Sequence, residues 1–209
     1  MSAHTEAAML DHLHSRYSRL DGNGVRYVCA EHVRSQAGFD APRCADMIVQ
    51  DLWPAKGLEL IGHEVKVARS DWVAELKDPE KAATFRRHLH RWYLVVPDRS
   101  IVRDDLPVGW GLMALRAGKL WVVRPASLLI PEPMPATMTA ALLRAVAKTA
   151  ERRAILSPDV PTMCPGCTAL AGEPVTAERR RQGIRRVEGD DDSPGNVSKI
   201  TTTVRSSNA

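Results

Sequence analysis

The sequence predicts an α/β domain followed by a helical C-terminal extension and a polar tail. Three observations carry that prediction. Short apolar runs of strand length, at 45–49, 59–68, 91–96, 109–115 and 120–123, are interleaved with segments of helical spacing. An alanine- and arginine-rich stretch at 137–154 puts Met138, Leu142 and Val146 at i, i+4 and i+8, one face of a helix. From Gly172 onward the chain is polar, with too few apolar residues to fold alone. The expected divisions are therefore 1–130, 131–171 and 172–209.

A chain of 209 residues is long enough to bury a proper core in one domain with appendages. With 29 basic and 25 acidic side chains its net charge is +4, which permits nucleic acid as a partner without demanding it. No run approaches the roughly 18 apolar residues of a membrane span, so no membrane is expected. The polar, His-containing N-terminus is unlike a signal peptide, and four unevenly spaced cysteines are unlike a secreted disulfide framework. A cytoplasmic protein is the expectation. Oligomeric state stays open, a homodimer included.

Residues 8–21 carry Met9, Leu10, Leu13, Tyr17 and Leu20 near helical spacing, and Asp21-Gly22-Asn23-Gly24 breaks the pattern. His12 and His14, two apart, face different ways on a helix and read as solvated surface. A second helix is expected over 25–37, stopped by Gly38, with Val25, Val28, Cys29 and Val33 inward and Tyr27, Glu31 and Ser35 aligned.

Two strands joined by the turn Trp53-Pro54-Ala55-Lys56-Gly57 come next, and each delivers charge where a strand should deliver Val or Ile. Asp46 opens the first. The second contains Glu64-Val65-Lys66, and alternation puts Glu64 and Lys66 on one face with Val65 and Val67 on the other. Burying a carboxylate and an ammonium at mid-strand is costly unless something pairs with them. A metal ion together with a scissile phosphate would pair with Asp46, Glu64 and Lys66. Asp51, beside the turn, is explained by turn chemistry. Glu59 and His63 fall on the opposite face or at its edge and stay outside the site.

Ser70 is a plausible N-cap for a helix over 71–77, and a further helical stretch over 79–89 holds Lys81, Arg86, Arg87 and His88. His88 and His90 read as surface. Arg91 to Val96 is an apolar run of buried-strand length ended by Pro97, and 109–115 with 120–123 form a pair joined by Arg116-Ala117-Gly118-Lys119. Most of the five tryptophans, Trp53, Trp72, Trp92, Trp110 and Trp121, belong to the core on this reading. Residues 131–135 are a linker. The single Cys164-Pro-Gly-Cys167 motif supplies two of the four ligands of a structural zinc site, and only Cys29, Cys44 or a distant His could complete it. A half-site, a zinc shared across a dimer and plain thiols all stay open, with no cluster preferred.

Asp46, 17 intervening residues and Glu64-x-Lys66 resemble the PD-(D/E)xK signature of restriction endonucleases and RecB-type nucleases. The surrounding words, GFDAPRCADMIVQDLWPAKGLELIGHEVKVARSDWVAELKDPEKA, resemble small RecB-like or MmcB-like nucleases of actinobacterial phages, over about residues 10–125. Ala45 stands where the signature has Pro. The resemblance implies a restriction-endonuclease-like core, a mixed central sheet flanked by helices, which the order helix, strand, strand, helix, strand fits. It implies hydrolysis of DNA phosphodiester bonds with Mg²⁺ or Mn²⁺, in phage or bacterial DNA processing, repair or recombination. Asp46, Glu64 and the Val65 carbonyl would hold the metal. Glu31 would join them as the Glu this superfamily often takes from the helix before its first catalytic strand; the plain alternative is an exposed helical Glu. Lys66 would position the attacking water or stabilise transition-state charge.

For nucleic acid, Arg69, which leaves the strand two residues beyond Val67 toward the Lys66 side, is a candidate phosphate clamp, against a salt bridge to Asp71 or Glu75, and Lys81, Arg86 and Arg87 of the following helical stretch are further candidates. The Gln and Tyr that line RecB-like sites are missing, and Lys81 is the stand-in for the Gln. Some RecB-like nucleases close an iron–sulfur cluster with three late cysteines, and here the late group is one short. Arg179-Arg180-Arg181 and Arg185-Arg186 could add phosphate contacts or simply be a solvated tail. An inactive DNA-binding module on the same scaffold is the rival reading, and the intact Asp–Glu–Lys set argues against it. A structural or interaction protein with a coincidental motif is a third.

Overall fold

Side-chain alternation along residues 44–51 sets the layering of the molecule, because Met47 and Val49 enter one hydrophobic core and Ile48 the other. The computed structural model describes residues 4–18, 20–21, 24–37 and 43–156, all within the unit Met1–Cys164. Helix α1 (Glu6–Tyr17) and the two-residue strands β1 (Leu20–Asp21) and β2 (Gly24–Val25) precede the main sheet. The sheet is built from β3 (Tyr27–Arg34), β4 (Cys44–Asp51), β5 (Leu60–Val65), β6 (Arg91–Val96), β7 (Gly111–Arg116) and β8 (Lys119–Arg124). Helices α2 (Arg69–Glu75) and α3 (Pro79–Arg86) lie between β5 and β6, and α4 (Ala136–Leu156) follows β8.

The six strands lie in sequence order. The first three form an antiparallel meander, β5–β6 and β6–β7 are parallel, and β8 returns antiparallel to β7. A parallel step needs a crossover, and α2 with α3 supplies it between β5 and β6. Helix α1 covers one face, setting Met9, Leu13 and Tyr17 against Met47, Val65 and Val95. The other face receives Trp72, Phe85 and Met138 against Ile48, Leu94 and Leu112. Because both faces are covered, β6 reads as a continuous apolar run, Trp92 to Val96 all buried.

Helix α4 does more than cover a face. The Glu31 N–H donates to Thr149 Oγ1 at 2.9 Å and the Ala37 N–H to the Thr137 carbonyl at 3.0 Å, so α4 occupies the otherwise open edge of β3. Leu142 and Val146 pack beside Met138 as the spacing predicted.

Several expected boundaries differ. The helix expected over 25–37 is a strand, β3, paired with β4 from Tyr27↔Asp51 to Arg34↔Cys44. Its helical look has a physical source: His32 takes a left-handed φ of 51° and interrupts the alternation, so Ala30 and Val33, three apart, face the same core. Helix α1 stops at Tyr17, where Ser18 caps it, before the expected residue 21. Strand β5 ends at Val65, leaving Lys66 just beyond it. Helix α2 starts at Arg69 with Ala68 before it and no side-chain cap, so Ser70 is inside the helix. Helix α3 ends at Arg86. Cys164, Cys167 and the arginines of the tail lie outside the described residues. Among the described residues no helix is long and apolar enough to cross a membrane.

Candidate functional site

Asp46 sits where both neighbours of β4 let go of it. On one side, pairing with β3 includes Glu31↔Met47 and Val33↔Ala45 but skips His32↔Asp46, at the left-handed His32. On the other, pairing with β5 runs from Gln50↔Leu60 to Met47↔His63 and stops. Beyond that point β5 is held by β6, with Lys66 N–H donating to the Val95 carbonyl at 3.0 Å. The Val65 N–H therefore lacks a β4 carbonyl, and Asp46 Oδ2 accepts it at 2.7 Å. This one bond ties the first expected residue to the backbone midway between the other two.

Glu64 is almost fully buried, and two ammonium groups meet its Oε1: Lys66 Nζ at 2.5 Å and Lys81 Nζ. Both also reach Glu75 Oε2, at 3.0 Å from Lys66 and 2.9 Å from Lys81. Two carboxylates and two ammonium groups thus close a compact ionic square. Burial together with the neighbouring Asp46 and Glu75 carboxylates pushes Glu64 up to about 7. Burial also raises Asp46, against the bond from Val65 and the charge of Lys66. Burial pulls the Lys66 ammonium down, but Glu64 and Glu75 more than offset it and leave its pKa raised. Glu75 Oε1 is buried with no hydrogen-bond partner among the described residues.

On the other side of Asp46 lies a second set of donors. Glu6 from the first turn of α1, His32 and Asp46 each offer one ligand atom, all within 4.8 Å of one another. His32 Nδ1 and Glu6 Oε1 are 3.9 Å apart, and both side chains are about half exposed. Oxygen and imidazole donors suit a divalent ion such as Mn²⁺. Charge agrees: burial and neighbouring carboxylates raise Asp46 and Glu64, so a bound cation would favour their ionised forms, and the residues fit a divalent ion.

The structure brings Asp46, Glu64, Lys66, the Val65 backbone and Lys81 together. It does not bring Glu31. That residue is on strand β3, and its carboxylate accepts from His14 Nε2 at 2.5 Å and from Arg153 at 2.8 Å and also meets Arg152. A carboxylate held by two guanidinium groups and an imidazole has no charge left to offer a metal. His14 is correspondingly no surface residue; burial, with Arg153 nearby, lowers its pKa to about 4.

Arg69 is engaged elsewhere, 2.5 Å from Asp105 and donating to the Ile101 carbonyl, a salt bridge to neither of the acids expected. Arg86 is packed over the Trp110 ring at 5.9 Å. Arg87 is exposed and donates to the Ala83 carbonyl on its own helix. His88 is buried against the Glu132 carbonyl, and His90 Nδ1 accepts the Leu60 N–H, so neither is surface. Asp51 accepts from Trp53 N and Arg26, and Glu59 pairs with Arg91, both outside the site as expected. His63 packs on the α1 face, sharing a 2.9 Å hydrogen bond with Tyr17. Cys29 and Cys44, the early candidates to complete a cysteine site, are thiols that burial pushes up to about 12 and 11.

Sequence reasoning missed Glu6, His32 and Glu75. Glu6 had a signal: once 27–34 is a strand, α1 is the helix before it and Glu6 is that helix's one glutamate. His32 had none, since its role depends on a local backbone reversal.

No protein-family model matches this chain, and no curated protein matches it. Among solved structures it is similar to a protein of unknown function from Silicibacter pomeroyi, at 22% identity over 77% of this chain and 95% of that one, with a TM-score of 0.49.

Proposed function

We propose that this chain is a divalent-metal-dependent nuclease that hydrolyses phosphodiester bonds of DNA. The observation that carries the reading is the bond from the Val65 N–H to Asp46, which gathers Asp46, Glu64 and Lys66 at the divergence of β4 and β5. An antiparallel meander followed by a helical crossover to a parallel strand supports it further, since that is the order of the restriction-endonuclease-like core.

Asp46 with Glu6 and His32 would hold the metal, and Glu64 lies alongside. The ion, when bound, supplies Lewis-acid polarisation of the phosphate and a more acidic water. The chain's own residues do the rest. Lys66, its ammonium kept charged by Glu64 and Glu75, is placed to orient a water and to stabilise negative charge on the phosphate oxygens. Water oxygen forms the new bond to phosphorus as its proton passes to solvent, the bond to the leaving sugar oxygen breaks, and that oxygen takes up a proton from solvent. Lys81 holds Glu64 and Glu75 in place from the helix side.

Purified wild type and Lys66→Ala are compared on linear and circular, single- and double-stranded DNA with Mg²⁺, Mn²⁺ or EDTA. The expected result is metal-dependent cutting by wild type, reduced about 100-fold or more in the variant, as for loss of one charge-stabilising donor. No cutting of any substrate, with DNA still bound by both proteins, would overturn the enzyme and leave a binding module.

A further inference from the structure

A groove of about 620 Å³ runs between the edge of β3 and α4. Its strand wall presents Glu31, His32 and Arg34, and its helix wall presents Arg144, Lys148 and Arg152. The three helical cations stand at i, i+4 and i+8, a straight row with steps of about 6 Å. Like charges at this spacing repel and weaken a helix. Arg144 and Lys148 have no ion pair among the described residues, and the one acid in the lining, Glu31, is already held by His14, Arg152 and Arg153. Ala141 and Ala145 are buried on the same side of α4, small residues that keep the floor of the groove low. His32 lines the groove and is also one of the three candidate metal donors.

We propose that this groove is the track along which the sugar–phosphate backbone of a single nucleic-acid strand reaches the site, a proposal that rests on the nuclease reading of that site. A regular row of cations suits a ligand with regularly spaced anions, and a groove that shares His32 with a divalent-ion donor set suits phosphate as the anion. Its volume is in the range of pockets that take one small molecule, about 300–1,000 Å³, which is room for a nucleotide or two of one strand at a time.

The test uses the full chain and its double variant Arg144→Gln/Lys148→Gln, neither position belonging to the site. Binding of a fluorescent oligothymidylate is followed by anisotropy across a salt series in EDTA, with duplex DNA and polyglutamate as competitors. Loss of two phosphate contacts on a single strand is expected to flatten the slope of log K against log salt by about 1.4. Affinity at low salt is expected to fall tenfold or more, at an unfolding midpoint no lower than that of wild type. An unchanged affinity and slope in the double variant would overturn the groove as the track, as would tighter binding of duplex than of single strand. Equal competition by polyglutamate would assign the groove to an acidic peptide instead. If wild type cuts nothing yet the slope flattens as expected, the groove stands and the nuclease reading falls.

Discussion

Two carboxylates on neighbouring strands, Glu31 and Asp46, have opposite environments, and the difference lies in their counter-charges. Glu31 is met by two guanidinium groups and an imidazole, Asp46 by a backbone N–H and, across 4.8 Å or less, by another carboxylate and His32. The first arrangement is saturated with positive charge, and the second is short of it. Substitution separates the two roles. Glu31→Gln leaves Arg152 without its anion and Arg153 with Asp11 alone, and stability is expected to fall by about 1–3 kcal/mol, the cost of an unsatisfied buried group. Cleavage per folded molecule should stay near wild type. Denaturant unfolding and single-turnover cleavage, run on the same preparation, check both halves; a large loss of cleavage at unchanged stability would return Glu31 to the site.

At the scale of elements, the site depends on how closely β5 and β6 approach the core below it. A Cβ at Gly62 would come within 2.2 Å of the Trp92 ring and 2.7 Å of Leu89 Cδ1, and both side chains are buried. Neither neighbour is a flexible tip, so Gly62→Ala is expected to cost about 1–3 kcal/mol through overpacking. Because Gly62 lies two residues before Glu64 on the same face, the displacement would also disturb the ionic square. A lowered midpoint in thermal unfolding, partly relieved by a second substitution Trp92→Leu, checks this. Much at this scale was legible in sequence. The strands at 45–49, 91–96, 109–115 and 120–123 announced themselves as apolar runs of strand length and the helix at 137–154 by i, i+4 spacing, and Asp46, Glu64 and Lys66 by charge at strand positions. Strand β3 was not legible, since one left-handed residue, His32, shifts its apolar pattern towards helical spacing. The partners of Arg69 and His14 were hidden for another reason: Asp105 and Glu31 reach them through tertiary contacts that no local pattern encodes.

On the scale of the whole molecule, Glu31 is a clamp. Through it α1, which covers one face, is joined to α4, which borders β3, and Arg153 adds a second strap from α4 to Asp11 of α1 at 2.6 Å. His14 is the titrating part of that clamp. Its pKa falls from 6.5 to about 4 in the folded protein. As pH drops through that window the unfolded chain binds a proton that the folded one refuses, so this contribution to stability declines on acidification. Glu64, raised to about 7, acts in the opposite sense over part of the same range, since its proton is taken up by the folded state. The readout is therefore a difference. Between pH 7 and pH 4.5 the unfolding midpoint of His14→Gln, which keeps a donor toward Glu31 but does not titrate, is expected to fall less than that of wild type. Parallel curves for the two proteins would remove His14 from the account.

The edge covered by α4 also has a meaning in time. Glu31 and Arg153 are 122 residues apart in the chain, and α4 is made after every strand of the sheet. A growing chain thus holds all of Asp46, Glu64, Lys66 and Lys81 before the helix that seals β3 has left the ribosome. Until then the edge of β3 is open to pairing with other chains, and the basic wall of the groove does not exist. Arg144, Lys148 and Arg152 are made after every charged group of the candidate site, so a nascent chain holds those groups before it holds the cationic row.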